Sequence, residues 1–196
     1  MFARNENFKQ FYTNYPAVTL QLTINFIFFL LTSLSIFPAA LIFEKMSGVN
    51  LYIANGDYWR LLSPVFLHGS FSHFVFNSFS LAIFGPYIEK KLKPFIFICF
   101  YFTCGLFGNL ATYVLEPLTF THVGASGAIF GLLGYYMSLV CFKKESIGTQ
   151  HSRTILTLFV VGVTMTFLQP QINIIGHLGG LISGFILSFL MFQVEK

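Results

Sequence analysis

Long stretches without a charged residue alternate with short charged connections along this chain. No Asp, Glu, Lys or Arg occurs in five intervals, which are 10–43, 61–88, 94–115, 117–142 and 154–194. A helix needs about 20 apolar residues to cross the hydrocarbon of a bilayer, so each of the first four intervals suits one such helix. The fifth interval contains 41 residues and is interrupted by the polar, proline-containing turn Gln169–Asn173, which predicts a helical hairpin.

This pattern predicts an all-α polytopic membrane protein with six membrane-crossing helices. The predicted helices cover residues 18–37, 71–88, 95–114, 126–142, 154–168 and 174–193. Residues 1–16 form a short polar tail, and residues 17–196 form one membrane domain. The first apolar run is far longer than the core of a signal peptide, so we expect the N-terminus to be retained.

The composition is typical of a chain surrounded mostly by lipid. Hydrophobic residues make up 55% of it and charged residues only 9%, whereas a soluble domain carries about 25% charged residues. The net charge of +4 therefore does not indicate a nucleic-acid partner. Cys99, Cys104 and Cys141 match no zinc or redox spacing. We expect a lipid bilayer around the chain, no metal and no cofactor.

Lys and Arg residues are concentrated on one side of the predicted bundle. With a cytoplasmic N-terminus, nine of them fall in the tails and in the inner connections 89–94 and 143–153, and only Lys45 and Arg60 fall outside. Because basic residues accumulate in cytoplasmic loops, both termini are predicted to be cytoplasmic. The second, fourth and sixth helices then all run from outside to inside.

Four polar residues lie near the outer ends of these three parallel helices. His73 and Asn77 are four residues apart near the start of the second helix, which places them on one face. Ser126 begins the fourth helix, and His177 lies in the first turns of the sixth. Polar residues inside a membrane are costly and usually functional. All four fall at a similar depth, so we expect one site.

The chemistry that these residue types allow is nucleophilic catalysis. A serine hydroxyl is a poor nucleophile unless a base takes its proton, and His177 is the base at the right depth. Asp57 and Glu116 lie in predicted outer loops, so the sequence predicts a Ser–His dyad and not a triad. Ser126 at a helix start would also present free backbone N–H groups, which suit an oxyanion.

Glycines explain how the fourth and sixth helices could touch. Gly127, Gly131 and Gly134 recur along the fourth helix, and Gly180 and Gly184 follow His177 on its own face of the sixth. Helices in lipid approach closely through such small residues. Packing alone would explain each motif singly, but their joint occurrence at one depth favours a catalytic site.

The chain resembles the rhomboid family of intramembrane serine proteases in four motifs. The motifs are Trp59-Arg60, His73-x-x-x-Asn77, Gly124-x-Ser126-Gly127 and His177-x-x-Gly180-x-x-x-Gly184. The resemblance extends from about residue 50 to the end and is closest to the short six-helix prokaryotic form. It implies an all-α, six-helix rhomboid-like bundle in a bacterial plasma membrane. Its substrates would be transmembrane proteins, cut in or beside their membrane segments.

The resemblance also implies a role for each motif residue. Ser126 would be the nucleophile and His177 the general base. The backbone N–H of Ser126 and the side chains of His73 and Asn77 would form the oxyanion hole. Trp59-Arg60 would hold the large first outer loop.

Two positions differ from the common family pattern. Gly176 replaces a frequent alanine before the helix-six histidine, and Phe130 replaces a frequent tyrosine four residues after the serine. Gly176 preserves close approach, and Phe130 can still pack beneath His177 without supplying a hydroxyl. For His122, four residues before Ser126, a role as structural filler is favoured, and a loop-ordering role or a minor influence on the site stays open.

The residues exclude two other classes of protease and leave two non-protease functions to consider. A metalloprotease would need His-Glu-x-x-His and an aspartyl protease a pair of Asp residues, and the chain has neither. A small transporter could use the buried His and Asn, but the intramembrane carboxylates common in proton-coupled transport are absent from the site. The main alternative is a non-catalytic rhomboid-like protein that binds membrane clients.

Overall fold

The computed structural model describes residues 5–34, 37–168 and 172–194. The described residues form nine α-helices: α1 Phe8–Asn14, α2 Pro16–Ser33, α3 Ala39–Met46, α4 Asn50–Ala54, α5 Phe71–Leu92, α6 Pro94–Leu115, α7 Ser126–Phe142, α8 Lys144–Leu168 and α9 Ile174–Val194. Strands β1 (Gly48–Val49) and β2 (Thr121–His122) pair antiparallel. Short 3-10 turns cover Tyr58–Leu61 and Ser63–Phe66.

Each of the six predicted helices is present, as α2 and α5 to α9. Four of the described helices, α2, α6, α8 and α9, are long and apolar enough to cross a membrane, and α7 is apolar but only 17 residues long. The turn predicted at residues 169–173 lies largely outside the described residues, as do positions 35–36 of the first predicted helix. That helix was predicted to end at residue 37, but α2 ends at Ser33 with Leu34 as its C-cap.

Two helix boundaries were predicted wrongly because charged residues were taken to mark connections. Helix α5 continues to Leu92, with Lys90 and Lys91 in its last turn, where cations interact favourably with the helix dipole. Helix α8 begins at Lys144 and not at residue 154, and its helical geometry is interrupted only at Gly148, where φ is 73°. The predicted inner connection 143–153 is therefore largely helical.

Several charged residues lie together at one end of the bundle. The buried carboxylate of Glu89 in α5 accepts hydrogen bonds from the backbone N–H groups of Ala17 and Val18 at the start of α2 (2.9 and 2.8 Å), where a helix N-terminus favours negative charge. At the end of α7, the Lys143 ammonium lies 5.8 Å from the Phe192 ring of α9. The Tyr87 ring of α5 stacks on the Tyr136 ring of α7 with centroids 6.0 Å apart. The start of α2 thus shares this end of the molecule with the ends of α5, α7 and α9.

The opposite end carries the loop between α2 and α5, which Arg60 holds together. Its guanidinium is buried, binds the Asp57 carboxylate at 2.9 Å, and donates to the carbonyls of Glu44 and Ser47 at 2.8 and 2.9 Å. Trp59 is 55% exposed beside it. Arg60 therefore supplies a cation to the carbonyls that the short helix α3 leaves unpaired at its C-terminal end.

Helices α7 and α9 touch through their backbones, as the glycine spacing predicted. A Cβ atom added at Gly180 would overlap the carbonyl of Gly127, and one at Gly184 would overlap the carbonyl of Gly131. Eleven of the 17 residues of α7 are buried, so this helix lies at the centre of the bundle. Close contact of α7 with α9 positions the residues at their starts.

Candidate active site

Ser126 is the first residue of α7, where the chain turns sharply into the helix. Gly124 makes this turn with a φ of +129°, a conformation that residues with a Cβ rarely adopt. Its backbone N–H donates to the carbonyl of Pro64 at 2.9 Å. No side chain caps the start of α7 within the described residues. The N–H groups of its first turn are therefore available to an acceptor beside Ser126.

His177 lies in the first turn of α9, which Asn173 caps. The Asn173 side-chain oxygen accepts from the N–H of Gly176 at 2.8 Å, and its backbone carbonyl accepts from the N–H of His177 at 3.1 Å. The imidazole stacks on Phe130 with ring centroids 4.1 Å apart and planes 17° apart. Its Nδ1 lies 2.9 Å from the Thr166 hydroxyl oxygen. Cap, stack and hydrogen bond together hold the ring in one place.

The same arrangement places the His177 ring on the face of α7 that begins with Ser126. Phe130 follows Ser126 by four residues and shares its face of α7, so a ring stacked on Phe130 lies on the face that carries the serine. A Cβ atom at Gly127 would lie 3.3 Å from the carbonyl of Gly176, so the neighbours of both residues are in contact. No hydrogen bond within 3.5 Å joins Ser126 to His177 among the described residues, which is common for catalytic pairs without substrate.

His73 and Asn77 approach the same point from α5. Ser70 caps this helix by accepting from the N–H of His73 at 3.1 Å. The His73 ring covers Gly124, since a Cβ there would lie 2.6 Å from its Cε1 and Nε2 atoms and 3.7 Å from the Ser126 hydroxyl oxygen. Asn77 lies one turn further along and is 6% exposed. Its amide nitrogen is buried without an acceptor in the described part of the chain.

An unpaired buried donor is costly, by roughly 1–3 kcal/mol. The Asn77 amide is therefore available to an acceptor. An oxygen above Ser126 would supply one, because Asn77 and His73 share a helix face and the His73 ring already lies against Gly124.

Two more histidines lie in the loops around these residues. His68 contacts the edge of the His73 ring, with centroids 5.2 Å apart. Burial, with a smaller contribution from His73, lowers the pKa of His68 to about 3. His122 lies in β2 against Gly48 of β1, and burial lowers its pKa to about 4. The structure thus places His122 in the contact between two loops.

Two contributors to the site were missed in the sequence. Asn173 was taken for part of a turn, although an Asn directly before an apolar helix is a recognisable cap. Thr166 gave no signal, because a threonine in an apolar helix is common and usually bonds the carbonyl four residues earlier. Its contact with His177 depends on how α8 and α9 pack, which no sequence spacing revealed.

Comparison with known proteins identifies the family of the chain. Residues 55–194 match the family model described as the Rhomboid domain. The chain is 46% identical over 196 residues to the Bacillus subtilis (strain 168) protein named "Putative rhomboid protease YdcA", covering 100% of this chain and 98% of that protein. It is 33% identical over 136 residues to Rhomboid protease GluP of the same organism, covering 69% of this chain and 26% of GluP.

A eukaryotic relative extends the comparison. Rhomboid-like protease 1 of Toxoplasma gondii is 35% identical over 167 residues, which are 81% of this chain and 56% of that protein. The relatives named as proteases thus span bacteria and a eukaryote. With its apolar helices and a family match over most of its length, the chain is an integral membrane protein that belongs to the rhomboid family.

Proposed function

We propose that this chain is an intramembrane serine endopeptidase that cleaves membrane proteins in or beside their transmembrane segments with a Ser126–His177 dyad. The observation that carries the proposal is the backbone contact between α7 and α9. Together with the stack of His177 on Phe130, which shares the face of α7 that begins with Ser126, it supports the dyad. The relatives named as rhomboid proteases support the same class of reaction.

In the first step, the Ser126 hydroxyl oxygen attacks the scissile carbonyl carbon while the His177 imidazole takes its proton. The tetrahedral intermediate collapses by breaking the carbon–nitrogen bond, and His177 gives the proton to the leaving amine. Water then attacks the acyl-enzyme, again passing its proton to His177. The second collapse breaks the ester, releases the new carboxyl end and returns the proton to the Ser126 oxygen.

The negative oxygen of each intermediate needs donors because little water reaches it there. The Ser126 backbone N–H lies at the uncapped start of α7, and the Asn77 amide has no acceptor among the described residues. His73 lies against Gly124 beside them. Donors fixed in advance need no rearrangement when charge develops. We assign these three groups to the oxyanion hole.

In the membrane, we propose six crossings by α2 and α5 to α9, with both termini cytoplasmic in a bacterial plasma membrane. The charged end of the bundle, with Glu89 and Lys143, is then cytoplasmic. The site then lies toward the outer face. The loop held by Arg60 and Trp59 lies beside it. Substrates would be transmembrane proteins, and water would enter from outside.

Purified protein with a labelled transmembrane substrate tests the proposal. Wild type should cleave the substrate, and Ser126→Ala and His177→Ala should not. A mechanism-based serine reagent should label wild type once and neither variant, and a chelator should have no effect. Ser138→Ala is the matched control, because Ser138 is a buried serine of the same helix. Cleavage by Ser126→Ala would overturn the proposal, and binding without cleavage by wild type would favour a client-binding protein.

A further inference from the structure

The imidazole of His177 has a hydrogen-bond partner outside the motifs discussed so far. The Thr166 hydroxyl oxygen, in the last turn of α8, lies 2.9 Å from Nδ1. Both residues are buried, Thr166 at 2% and His177 at 7% exposure. Among the described residues this is the imidazole's one hydrogen bond, so the partner determines which nitrogen carries the proton.

The direction of this bond depends on the tautomer of the ring, and a second hydrogen bond of Thr166 favours one direction. The hydroxyl oxygen also lies 3.0 Å from the carbonyl of Gly162, one turn earlier. A carbonyl can only accept, so the single hydroxyl proton goes to Gly162. The hydroxyl oxygen therefore accepts from Nδ1–H of His177. The neutral ring then carries its lone pair on Nε2, the nitrogen free to take a proton from Ser126.

We propose that Thr166 is a positioning residue that holds His177 in the tautomer needed for catalysis. This inference rests on the proposed function of Ser126 and His177. The stack on Phe130 fixes the plane of the imidazole, and the bond to Thr166 fixes its rotation within that plane. When Nε2 takes the proton, the Nδ1–H bond to Thr166 becomes charge-assisted and strengthens.

A neutral hydroxyl does here what a carboxylate does in a catalytic triad. In triads the carboxylate holds the histidine in its productive tautomer and stabilises its charged form. No carboxylate bonds His177 in the described ranges. In the apolar interior, an uncompensated buried carboxylate would carry a large desolvation penalty. A threonine avoids that cost at the price of weaker stabilisation, so its removal should have a moderate effect.

The test compares Thr166→Val, which keeps the shape and removes the acceptor, with Thr166→Ser, which keeps the hydroxyl. Thr157→Val is the matched control, because Thr157 bonds the carbonyl four residues earlier in the same helix but is exposed. Turnover and KM are measured on the labelled transmembrane substrate. The ¹⁵N spectrum of histidine-labelled protein reports the His177 tautomer, with His177→Ala identifying its signal.

We expect Thr166→Val to lower kcat by roughly 3- to 10-fold with little change in KM, since one neutral hydrogen bond is lost. Its His177 signal should shift toward a mixture of tautomers. Thr166→Ser should restore most of the turnover, and Thr157→Val should match wild type. Retention of wild-type kcat and tautomer by Thr166→Val, or equal impairment of Thr166→Ser, would overturn the assignment.

Two outcomes separate this inference from the proposed function. Activity that survives in Ser126→Ala removes the dyad, whatever Thr166 does. If both dyad variants are inactive and Thr166→Val is normal, only the role of Thr166 fails. If Thr166→Val does not fold, the wild-type spectrum still decides, because a proton on Nε2 of the neutral ring would contradict the bond direction.

Discussion

At the scale of single residues, Asn77 carries a polar group whose burial needs a reason. It is 6% exposed, and its amide nitrogen has no acceptor in the described structure. Buried polar groups usually have a hydrogen-bond partner, and the oxyanion that forms during the reaction would supply one to Asn77. Asn25 in α2 also has a buried amide nitrogen without an acceptor among the described residues, so the place of Asn77 one turn after His73 carries this assignment together with the unpaired donor.

Asn77→Ala and His73→Ala should each lower kcat by about 10-fold or more, with a smaller effect on KM and no loss of membrane insertion. The reason is that each removes one donor to charge that develops in the transition state, which in other hydrolases costs about 10²–10³. The Ser126 N–H and the remaining side chain limit the loss here. Kinetics on the labelled transmembrane substrate measure the effect.

Asn25→Ala is the control for this pair, because Asn25 is a fully buried amide in α2 that accepts a hydrogen bond from Gln21. It should lose thermal stability and keep its turnover. If Asn77→Ala and His73→Ala behave in the same way as Asn25→Ala, these two residues only join helices and leave the list of catalytic groups.

His122 should make the loops at the site end of the bundle sensitive to acid. Burial holds its pKa at about 4 against the usual 6.5, so between these values the unfolded chain binds more protons than the folded one. Stability is therefore complete above about pH 6.5 and falls as the pH drops toward about 4. His122→Phe should flatten this loss of the unfolding temperature between about pH 7 and about pH 4.5.

His68 contributes to the same loss, because its pKa is also lowered, to about 3. His122→Phe should therefore weaken the acid sensitivity without abolishing it. The phenylalanine loses no hydrogen bond, since neither ring nitrogen of His122 has a partner among the described residues. His151→Asn in α8 serves as the control and should keep the wild-type profile. An unchanged profile in His122→Phe would contradict a role of its burial.

The sequence singled out four residues that are exceptions to their surroundings, and their catalytic roles stay predictions. His73, Asn77, Ser126 and His177 are polar groups at the ends of apolar helices, and such groups are kept only for a reason. Thr166 does not stand out in this way, because its hydroxyl donates a hydrogen bond to the Gly162 carbonyl in the same helix. Its second bond, to His177, depends on tertiary packing. A residue whose polar group is hydrogen-bonded within its own helix gives no signal in the sequence.

At the scale of helices, the contact between α7 and α9 follows from glycines spaced four residues apart. Gly127 and Gly131 on α7 face Gly180 and Gly184 on α9. In lipid there is little hydrophobic drive between helices, so closely packed backbones supply van der Waals contact instead. Local spacing reveals such an interface because one stripe of glycines is enough to define it.

Gly180→Ala and Gly184→Ala should each destabilise the protein by about 1–3 kcal/mol, because the new methyl group meets backbone that cannot rotate away. Gly180 contacts Gly127, the neighbour of Ser126, and Gly184 contacts Gly131 further along. Gly180→Ala should therefore also lose more turnover than Gly184→Ala. Unfolding in detergent and substrate cleavage measure the two effects separately.

Gly69→Ala is the matched control, because a Cβ there would lie 3.8 Å from the Val123 side chain, an ordinary contact. Stability and turnover should stay near wild type. Gly180→Ala with unchanged stability would mean that the helices can separate without cost, and that the contact does not position the dyad.

Helix boundaries and loop structure were harder to predict than helix existence. The apolar intervals predicted α2 and α5 to α9, but Lys144 opens α8 inside an expected connection. The short helices α3 and α4 were not predicted at all. They depend on the bonds of Arg60 to distant carbonyls and on the pairing of β1 with β2. Such contacts between separate loop segments have no periodicity along the chain.

At the scale of the whole molecule, the two ends of the bundle differ in chemistry. One end contains the start of α2, whose N–H groups donate to the Glu89 carboxylate, and the ends of α5, α7 and α9. The other holds the paired loops β1 and β2 and the four residues of the site. Apolar periodicity could not predict which helices are neighbours, because helices in lipid are apolar on every side. Charge and glycine spacing carried that information instead.

The orientation of these ends in the membrane is testable with single cysteines in a protein whose native cysteines are replaced. Cysteines at Asn55 and Glu116 should react in intact cells with a reagent that cannot cross the membrane, because we place these loops outside. Cysteines at Lys91 and Gln150 should react only after permeabilisation, because the nine-to-two distribution of Lys and Arg predicts that their segments are cytoplasmic. Asn55, Lys91 and Gln150 are exposed, so a lack of reaction reports the membrane and not burial. Labelling of Gln150 in intact cells would reverse the proposed orientation and move the site away from the outer face.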